Sequence, residues 1–242
     1  MEHITPAPVP HNAKAVIALT SWKKRISTVG LTIFNLLTMC GHDYHIVLTL
    51  AEEEFPRKER ELPRDLVTMS KAGLFEILWV ERNYKSLKKI LFAMAKYRTV
   101  PIISADDDCL YKRNYADELY NTWRINKNKR ICYWCSHMGD RIYNTSGYAT
   151  LHPPYYYKDA YCLLNDNILS LYEDDLFYAA ICYLTHKKGC ICLEESYSDI
   201  VVSHDETQPL HEVYSKCTDS STVRFKKMVN ACKEAINEHN WK

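Results

Sequence analysis

Val100-Pro101-Ile102-Ile103-Ser104-Ala105-Asp106-Asp107-Asp108 is the stretch that decides how this chain is read. Its first part, Val100 to Ile103, is apolar and β-branched, which predicts a short buried strand. Three carboxylates follow at once. Adjacent acids at the mouth of a buried strand repel one another and cost free energy to desolvate. A cation among them removes much of that cost. Hard oxygen ligands select Mg²⁺ or Mn²⁺, a metal usually shared with substrate phosphates. Carboxylates two apart on an extended segment point the same way. Asp106 and Asp108 therefore predict a shared metal, with Asp107 turned the other way. The bland alternative is an acidic loop that caps the next helix.

Outward from this stretch the chain alternates. Lys14 to Thr20 predicts a buried strand, and Ile26 to Met39 a helix with Val29, Ile33, Leu36 and Leu37 on one face. Tyr44 to Leu50 is a second strand. Leu62 to Lys71 is a short helix ended by Gly73, and Leu74 to Val80 a third strand. Ser86 to Tyr97 is a helix with Ser86 as its expected N-cap, and Asn114 to Asn126 another, capped by Asn114. Four strand–helix alternations predict an α/β fold, a mainly parallel sheet with helices on both faces. Ligands of such sheets bind beyond the carboxyl ends of the strands, where Thr20-Ser21, Leu50-Ala51 and the triad all fall.

The second half is less regular. Arg130 to Cys135 and Arg141 to Tyr143 read as strands, and Leu151 to Tyr157 as a proline-broken aromatic loop. Asp174 to Lys187 reads as a helix with acids at its start, as the helix dipole prefers. Cys190 to Leu193 is a strand, Ser203 to Thr222 irregular, and Thr222 to His239 an amphipathic helix. That last helix is basic (Arg224, Lys226, Lys227, Lys233) and is expected to dock on the domain through Phe225, Met228, Val229 and Ile236. Resting on an anionic membrane surface is its alternative.

The 242 residues have a formal net charge of +1, 47% apolar and 25% charged residues. That is an ordinary globular composition, and scattered basic residues give no field that invites nucleic acid. Met1 to Pro10 has no signal-peptide pattern, and no run approaches the ~20 apolar residues of a membrane-spanning helix. The ten cysteines are accordingly expected to be reduced, in a cytoplasm. Cys132-x-x-Cys135 and Cys190-x-Cys192 suggest zinc. Both lie in strand-like runs, however, and are expected to be buried small hydrophobes.

Five blocks together resemble a family. In order they are LTSWKKRI (Leu19 to Ile26), SLKKI (Ser86 to Ile90), ISADDDCLY (Ile103 to Tyr111), TLHPPYYY (Thr150 to Tyr157) and YEDDLFYAA (Tyr172 to Ala180). This series is similar to small bacterial glycosyltransferases of the GT-A fold, the family-2-like group of capsule and lipopolysaccharide synthesis. The resemblance implies a GT-A-like, Rossmann-like domain. It implies a hexosyltransferase moving a sugar from a nucleotide-sugar donor to a glycan or lipid-linked acceptor, with Mn²⁺ or Mg²⁺ and inversion of the anomeric centre. Residues 1–12 would be a flexible leader and 13–242 one catalytic domain, with a nucleotide-sugar half (13–112) and an acceptor half (113–242).

By the same resemblance, Thr20 and Ser21 hold the nucleobase and ribose, and Arg25 lies on the diphosphate side. Lys88 belongs to the donor pocket. Asp106 and Asp108 are the metal pair, and Asp107 faces ribose or sugar. Asp174 and Asp175 begin a helix beneath the acceptor, with Asp175 the base. His204 is a candidate third metal ligand, its alternative a strand-end histidine in solvent. The chain departs from the family in the glycine-rich stretch before the two prolines, where only Gly147 remains. Two other readings stay open: a Mg²⁺-dependent nucleotidyltransferase or phosphodiesterase, and a catalytically silent GT-A-like binding module. The cytoplasmic placement extends to peripheral contact with the inner membrane. Oligomeric state is left open.

Overall fold

The structure is a computed structural model that describes residues 3–138, 141–144, 149–171, 173–187, 190–193, 201–203 and 219–241. Strands β1 (Ala15–Thr20), β2 (Tyr44–Ala51), β3 (Glu76–Val80) and β4 (Ile102–Ser104) alternate with helices α1 (Val29–Cys40), α2 (Arg64–Lys71) and α3 (Lys88–Lys96). There follow β5 (Cys109–Tyr111), α4 (Tyr115–Ile125), β6 (Arg130–Cys132), β7 (Cys135–Met138), β8 (Arg141–Asn144) and β9 (Thr150–His152). The chain continues through α5 (Asp166–Ser170), α6 (Asp174–Leu184), β10 (Cys190–Cys192), β11 (Val201–Ser203) and α7 (Ser221–His239).

Seven strands form one sheet in the order β10-β6-β9-β4-β1-β2-β3. β4, β1, β2 and β3 are mutually parallel, β9 runs antiparallel to both β4 and β6, and β10 is parallel to β6. The expected mixed α/β, Rossmann-like fold is present. Alternate residues of each strand serve opposite faces. Val16, Ala18, Val47 and Ile102 face a layer built from α3, α6 and α7. Ile17, Leu19, Ile46, Leu48 and Ile103 face Ile33 and Leu36 of α1, Leu66 of α2 and Leu119 of α4. Both faces are therefore covered, as the near-continuous apolar strands require.

Three expectations are corrected. Leu151 to Tyr157 is not all loop: Thr150–His152 is a buried strand wedged between β4 and β6. It is three residues long and stops at Pro153, which has no N–H to extend the ladder. Ser86 does not cap α3, because residues Lys85–Leu87 form a 3₁₀ turn ahead of the helix and no side chain caps it. Asn114 stands at the N-cap position of α4 but in left-handed backbone (φ 69°), with no side-chain cap bond.

The segment expected as a leader rests on the domain: Ile4 is buried, and the Ala7 N–H donates to Lys96 O at 2.8 Å. Helix α7 docks through Met228, Val229, Ala231, Cys232 and Ala235. No helix among the described residues is long and apolar enough to cross a membrane.

The chain runs outward from β1 to β3, then returns to place β4 on the other side of β1. The carboxyl ends of β1 and β4 thus flank the point where strand order reverses, the place where open α/β sheets bind ligands. Thr20-Ser21 and Ala105-Asp106 emerge there side by side, with the Ala105 N–H donating to Ala18 O at 2.9 Å.

Candidate functional site

The acidic turn is pinned from below by α1. Thr32 Oγ1 donates to Asp107 O at 3.0 Å and to Cys109 O at 2.9 Å. Asn35 brackets Tyr111, accepting its N–H at 2.7 Å and donating Nδ2 to its carbonyl at 3.2 Å. Tyr111 in turn accepts the Asp106 N–H on its hydroxyl at 2.7 Å. With its backbone held on both sides, the turn presents its carboxylates without freedom to spread apart.

Asp107 points back toward the β1 loop and is buried. Ser21 Oγ donates to one of its oxygens at 2.6 Å and Arg25 Nη1 to the other at 2.8 Å. The same Nη1 reaches Asp108 at 2.8 Å. Burial pushes the Asp107 carboxyl above the usual carboxylate range, with Arg25 and Ser21 opposing. Asp108 is also pushed up, by burial and then by Asp106, against Arg25. Oxygens of Asp106 and Asp108 lie within 4.8 Å of each other and of the Cys109 thiol. Asp106 and Asp108 are thus close, but in a turn rather than the extended segment expected. Asp107 does not point the other way: one Arg25 nitrogen bridges it to Asp108.

Lys89 closes the other side. It begins α3 beside Lys88, and both are buried although a helix N-terminus disfavours cations. Lys89 Nζ donates to Asp106 at 2.6 Å. The fields of Asp106, Asp174 and Asp175 raise its pKa against a desolvation that alone would lower it. The two acids at the start of α6 therefore lie near enough for their fields to reach the cation that pairs with Asp106. Their helix is locked there: Tyr178 donates its hydroxyl to Leu87 O at 3.4 Å. Glu173, just ahead of them, accepts from Arg224 of α7 at 2.7 Å.

Lys88 takes a different course. Its amine reaches Asn83 Oδ1 at 3.0 Å, Lys85 O at 3.2 Å and Glu54 at 3.5 Å, and burial lowers its pKa. The lysine that touches the triad is Lys89, which the sequence reading did not single out. The adjacent pair was visible in Ser-Leu-Lys-Lys-Ile, but the 3₁₀ turn that sets their rotation was not. Thr20 donates its hydroxyl to Thr49 O at 2.7 Å and so ties β1 to β2. His204 lies outside the described residues, as do Ser146, Gly147 and Tyr148. The strand ahead of His204, β11, pairs antiparallel with β5, Ser203 opposite Cys109.

Among the described residues, Asp107 and Asp108 meet Arg25 and Asp106 meets Lys89, with the fields of Asp174 and Asp175 reaching Lys89 from α6, while Lys88 has Glu54 beside it. Negative charge is in excess, and a divalent cation between Asp106 and Asp108 fits that excess and the hard oxygen donors. Cys109 is a soft donor whose thiol instead donates to Asp108 at 3.4 Å.

No protein-family model matches the sequence, and no curated protein matches it. Among solved structures, 4-diphosphocytidyl-2C-methyl-D-erythritol synthase aligns with a TM-score of 0.46 at 9% identity, covering 84% of this chain and 96% of that one. A likeness of that degree carries no inference about chemistry. What the chain has in its own right is a mixed α/β fold with a candidate metal-binding carboxylate cluster at the turning point of its sheet.

Proposed function

We propose that this chain is a glycosyltransferase that moves a sugar from a nucleotide-sugar donor to an acceptor hydroxyl. The observation that carries the reading is the place of the Asp106–Asp108 pair, with Lys89 and Arg25 hydrogen-bonded to it, at the point where the strand order of the sheet reverses. Such an enzyme has to hold a diphosphate and, a few ångströms away, take a proton from a hydroxyl. Asp106 and Asp108 would hold Mn²⁺ or Mg²⁺, which would stabilise charge on the leaving diphosphate. Arg25 and Lys89 flank the same spot and can pair with phosphate oxygens. Asp175, half-buried on the first turn of α6, is the proposed base. As the acceptor oxygen bonds to the anomeric carbon, the hydroxyl proton passes to Asp175 and the carbon–oxygen bond to the diphosphate breaks with its electron pair. A single displacement inverts the centre. Family-2-like membership belongs to this proposal, carried by the order of the five sequence blocks.

A second reading is nucleotidyl transfer from a nucleoside triphosphate. It is favoured by the two cations set on either side of the acidic turn, Arg25 at Asp107 and Asp108 and Lys89 at Asp106, which suit a phosphate chain. The products separate the two: glycosyl transfer releases a nucleoside diphosphate, nucleotidyl transfer releases pyrophosphate. The decisive binding test is a thermal-shift screen of nucleotide-sugars with Mn²⁺, on wild type and Asp108→Asn. A nucleotide-sugar should raise the wild-type melting temperature only with Mn²⁺, and should not do so in the variant. Equal stabilisation of both would reject the metal pair. Stabilisation without turnover of any acceptor would leave the binding-module reading in its place.

A further inference from the structure

We propose that Cys132, Cys135, Cys190 and Cys192 form a structural Zn²⁺ site, separate from the acidic triad, that clamps the β10 edge of the sheet. Pairing of β6 with β10 sets Arg130 opposite Cys190 and Cys132 opposite Cys192. Residues two apart on a strand share a face. Arg130, Cys132, Cys190 and Cys192 therefore all project to one side, while Ile131 and Ile191 go to the other, against the layer of α1 and α4. Cys135, at the start of β7, returns to the same place. The Cys132 sulfur lies 3.0 Å from that of Cys190 and 3.2 Å from that of Cys135, and Cys135 to Cys190 is 3.8 Å. Cys192 is within 4.8 Å of Cys132 and Cys135.

The expectation of buried small hydrophobes holds for Cys132 alone; Cys135, Cys190 and Cys192 are half-buried, and strand alternation brings Cys190 and Cys192 to the same face.

The sulfurs of Cys132, Cys135 and Cys192 form one group within 4.8 Å, and Cys190 adds a fourth within 3.8 Å of two of them. An ion among them would have only to open the Cys132–Cys190 and Cys132–Cys135 distances by less than about 1 Å. With Zn–S near 2.3 Å, the edges of a tetrahedral four-thiolate site are about 3.8 Å. A disulfide does not suit: none of the described cysteines is in one, and a bond between any two of these would leave the other sulfurs crowded against it. A separate observation points to charge at this spot. Arg130 is buried at 4% exposure, and its Nε and Nη1 have no partner among the described residues. A guanidinium stays protonated, so a buried one needs an anion near it. Four thiolates on Zn²⁺ carry a net charge of −2, and Arg130 stands opposite Cys190 and two residues before Cys132. Four protein ligands leave no open position, so the site is structural rather than catalytic. Its mechanical use is plain, since β6 and β10 are only three residues each and the β7–β8 ribbon hangs from them.

The test uses the full chain, purified in reductant without a polyhistidine tag. Elemental analysis after dialysis against EDTA should find one zinc per chain. Exchange for Co²⁺ should give the intense red-region bands and the thiolate charge-transfer band of a tetrahedral four-sulfur site. Cys135→Ser should convert this to a three-thiolate spectrum and release the metal to EDTA, while Cys162→Ser, outside the cluster, should leave both unchanged. Four results would each overturn the proposal: no retained zinc with no thiolate charge transfer, a three-thiolate spectrum in wild type, zinc held equally well by Cys135→Ser and Cys192→Ser, or a disulfide within the cluster in anaerobically prepared protein. If Cys135→Ser does not fold, the wild-type cobalt spectrum decides.

Discussion

Replacing Arg25 by methionine should destabilise the fold, and by an amount that depends on pH. The guanidinium is 10% exposed and meets Asp107 and Asp108, 9% and 19% exposed, at 2.8 Å each. Methionine fills the stem's volume and removes the charge. Taking away one partner of a buried pair costs about 3–5 kcal/mol, because the other charge stays behind in a poor solvent. For 242 residues the unfolding entropy near 60 °C is about 0.5 kcal/mol/K, so the melting temperature should fall by about 6–10 °C at neutral pH in metal-free buffer.

The pH dependence follows from the same groups. Burial already holds both carboxyls above their unfolded values, and Arg25 opposes that shift. A carboxyl with a raised folded pKa contributes stability that is fully present below the unfolded value of about 3.9 and is lost as pH rises through the folded value. Without Arg25 the folded values rise further, so the variant loses more than wild type across that window. The deficit should be largest at pH 7 and shrink as pH falls toward about 4. Arg25→Met with Asp107→Asn should recover part of the loss, giving a coupling of at least about 1 kcal/mol in a double-mutant cycle. Calorimetry from pH 4 to 8 reads all of this. A fall of under 2 °C (about 1 kcal/mol), or an equal fall at pH 4.5 and 7, would refute the view that Arg25 compensates the triad.

Two further outcomes are expected. Asp175→Asn should lower turnover by about 10²–10⁴-fold while still binding donor, and NMR of the product should show an inverted anomeric centre; a dead Asp174→Asn beside an active Asp175→Asn would move the base one residue. Lys89→Met should cost about 2–3 kcal/mol, less than Arg25→Met because Asp106 is 24% exposed. The same variant should tighten Mn²⁺ binding several-fold in calorimetric titrations without donor, and weaker Mn²⁺ binding would count against the pairing.

Much of the fold was legible because local pattern and final structure agreed. β1, β2, β3 and α1 to α4 follow from apolar runs and helical spacing. β9, β5 and β11 did not, since each is three residues long and owes its form to strands far away in sequence. The candidate metal pair, Asp106 and Asp108, was named from its two-residue spacing, but a turn rather than an extended run brings the two together. The partners of Asp107 could not be derived from spacing, lying 86 positions away at Ser21 and 82 at Arg25. Thr20, Ser21 and Arg25 came from block resemblance. The choice between Lys88 and Lys89 rested on a helix phase set by the 3₁₀ turn before it. The cysteine cluster had its full set of letters in the sequence. What was missing was the pairing of β6 with β10, 58 positions apart between Cys132 and Cys190.

The presence of Arg25 and Lys89 among acids meant for a metal has its own logic. Three adjacent carboxylates at a strand end would by themselves be strongly self-repelling, and burial already pushes two of them toward protonation. On the proposed reading, the two cations hold the carboxylates ionised until a metal and a diphosphate arrive together. Asp106 and Asp108 would then hold the metal, and Lys89 and Arg25, their present partners, could pair with the phosphates, whose charge they match. A divalent metal and a diphosphate together would leave the net charge of the site unchanged, so each should favour binding of the other. Metal should tighten donor binding and donor should tighten metal binding by the same factor, as linkage requires. Lys89 is the member of this exchange that also faces Asp174 and Asp175. Its removal should therefore let Mn²⁺ bind without donor, and loosen the dependence of one ligand on the other. If the two ligands bind independently in wild type, the cations are only structural ion pairs and the exchange does not occur.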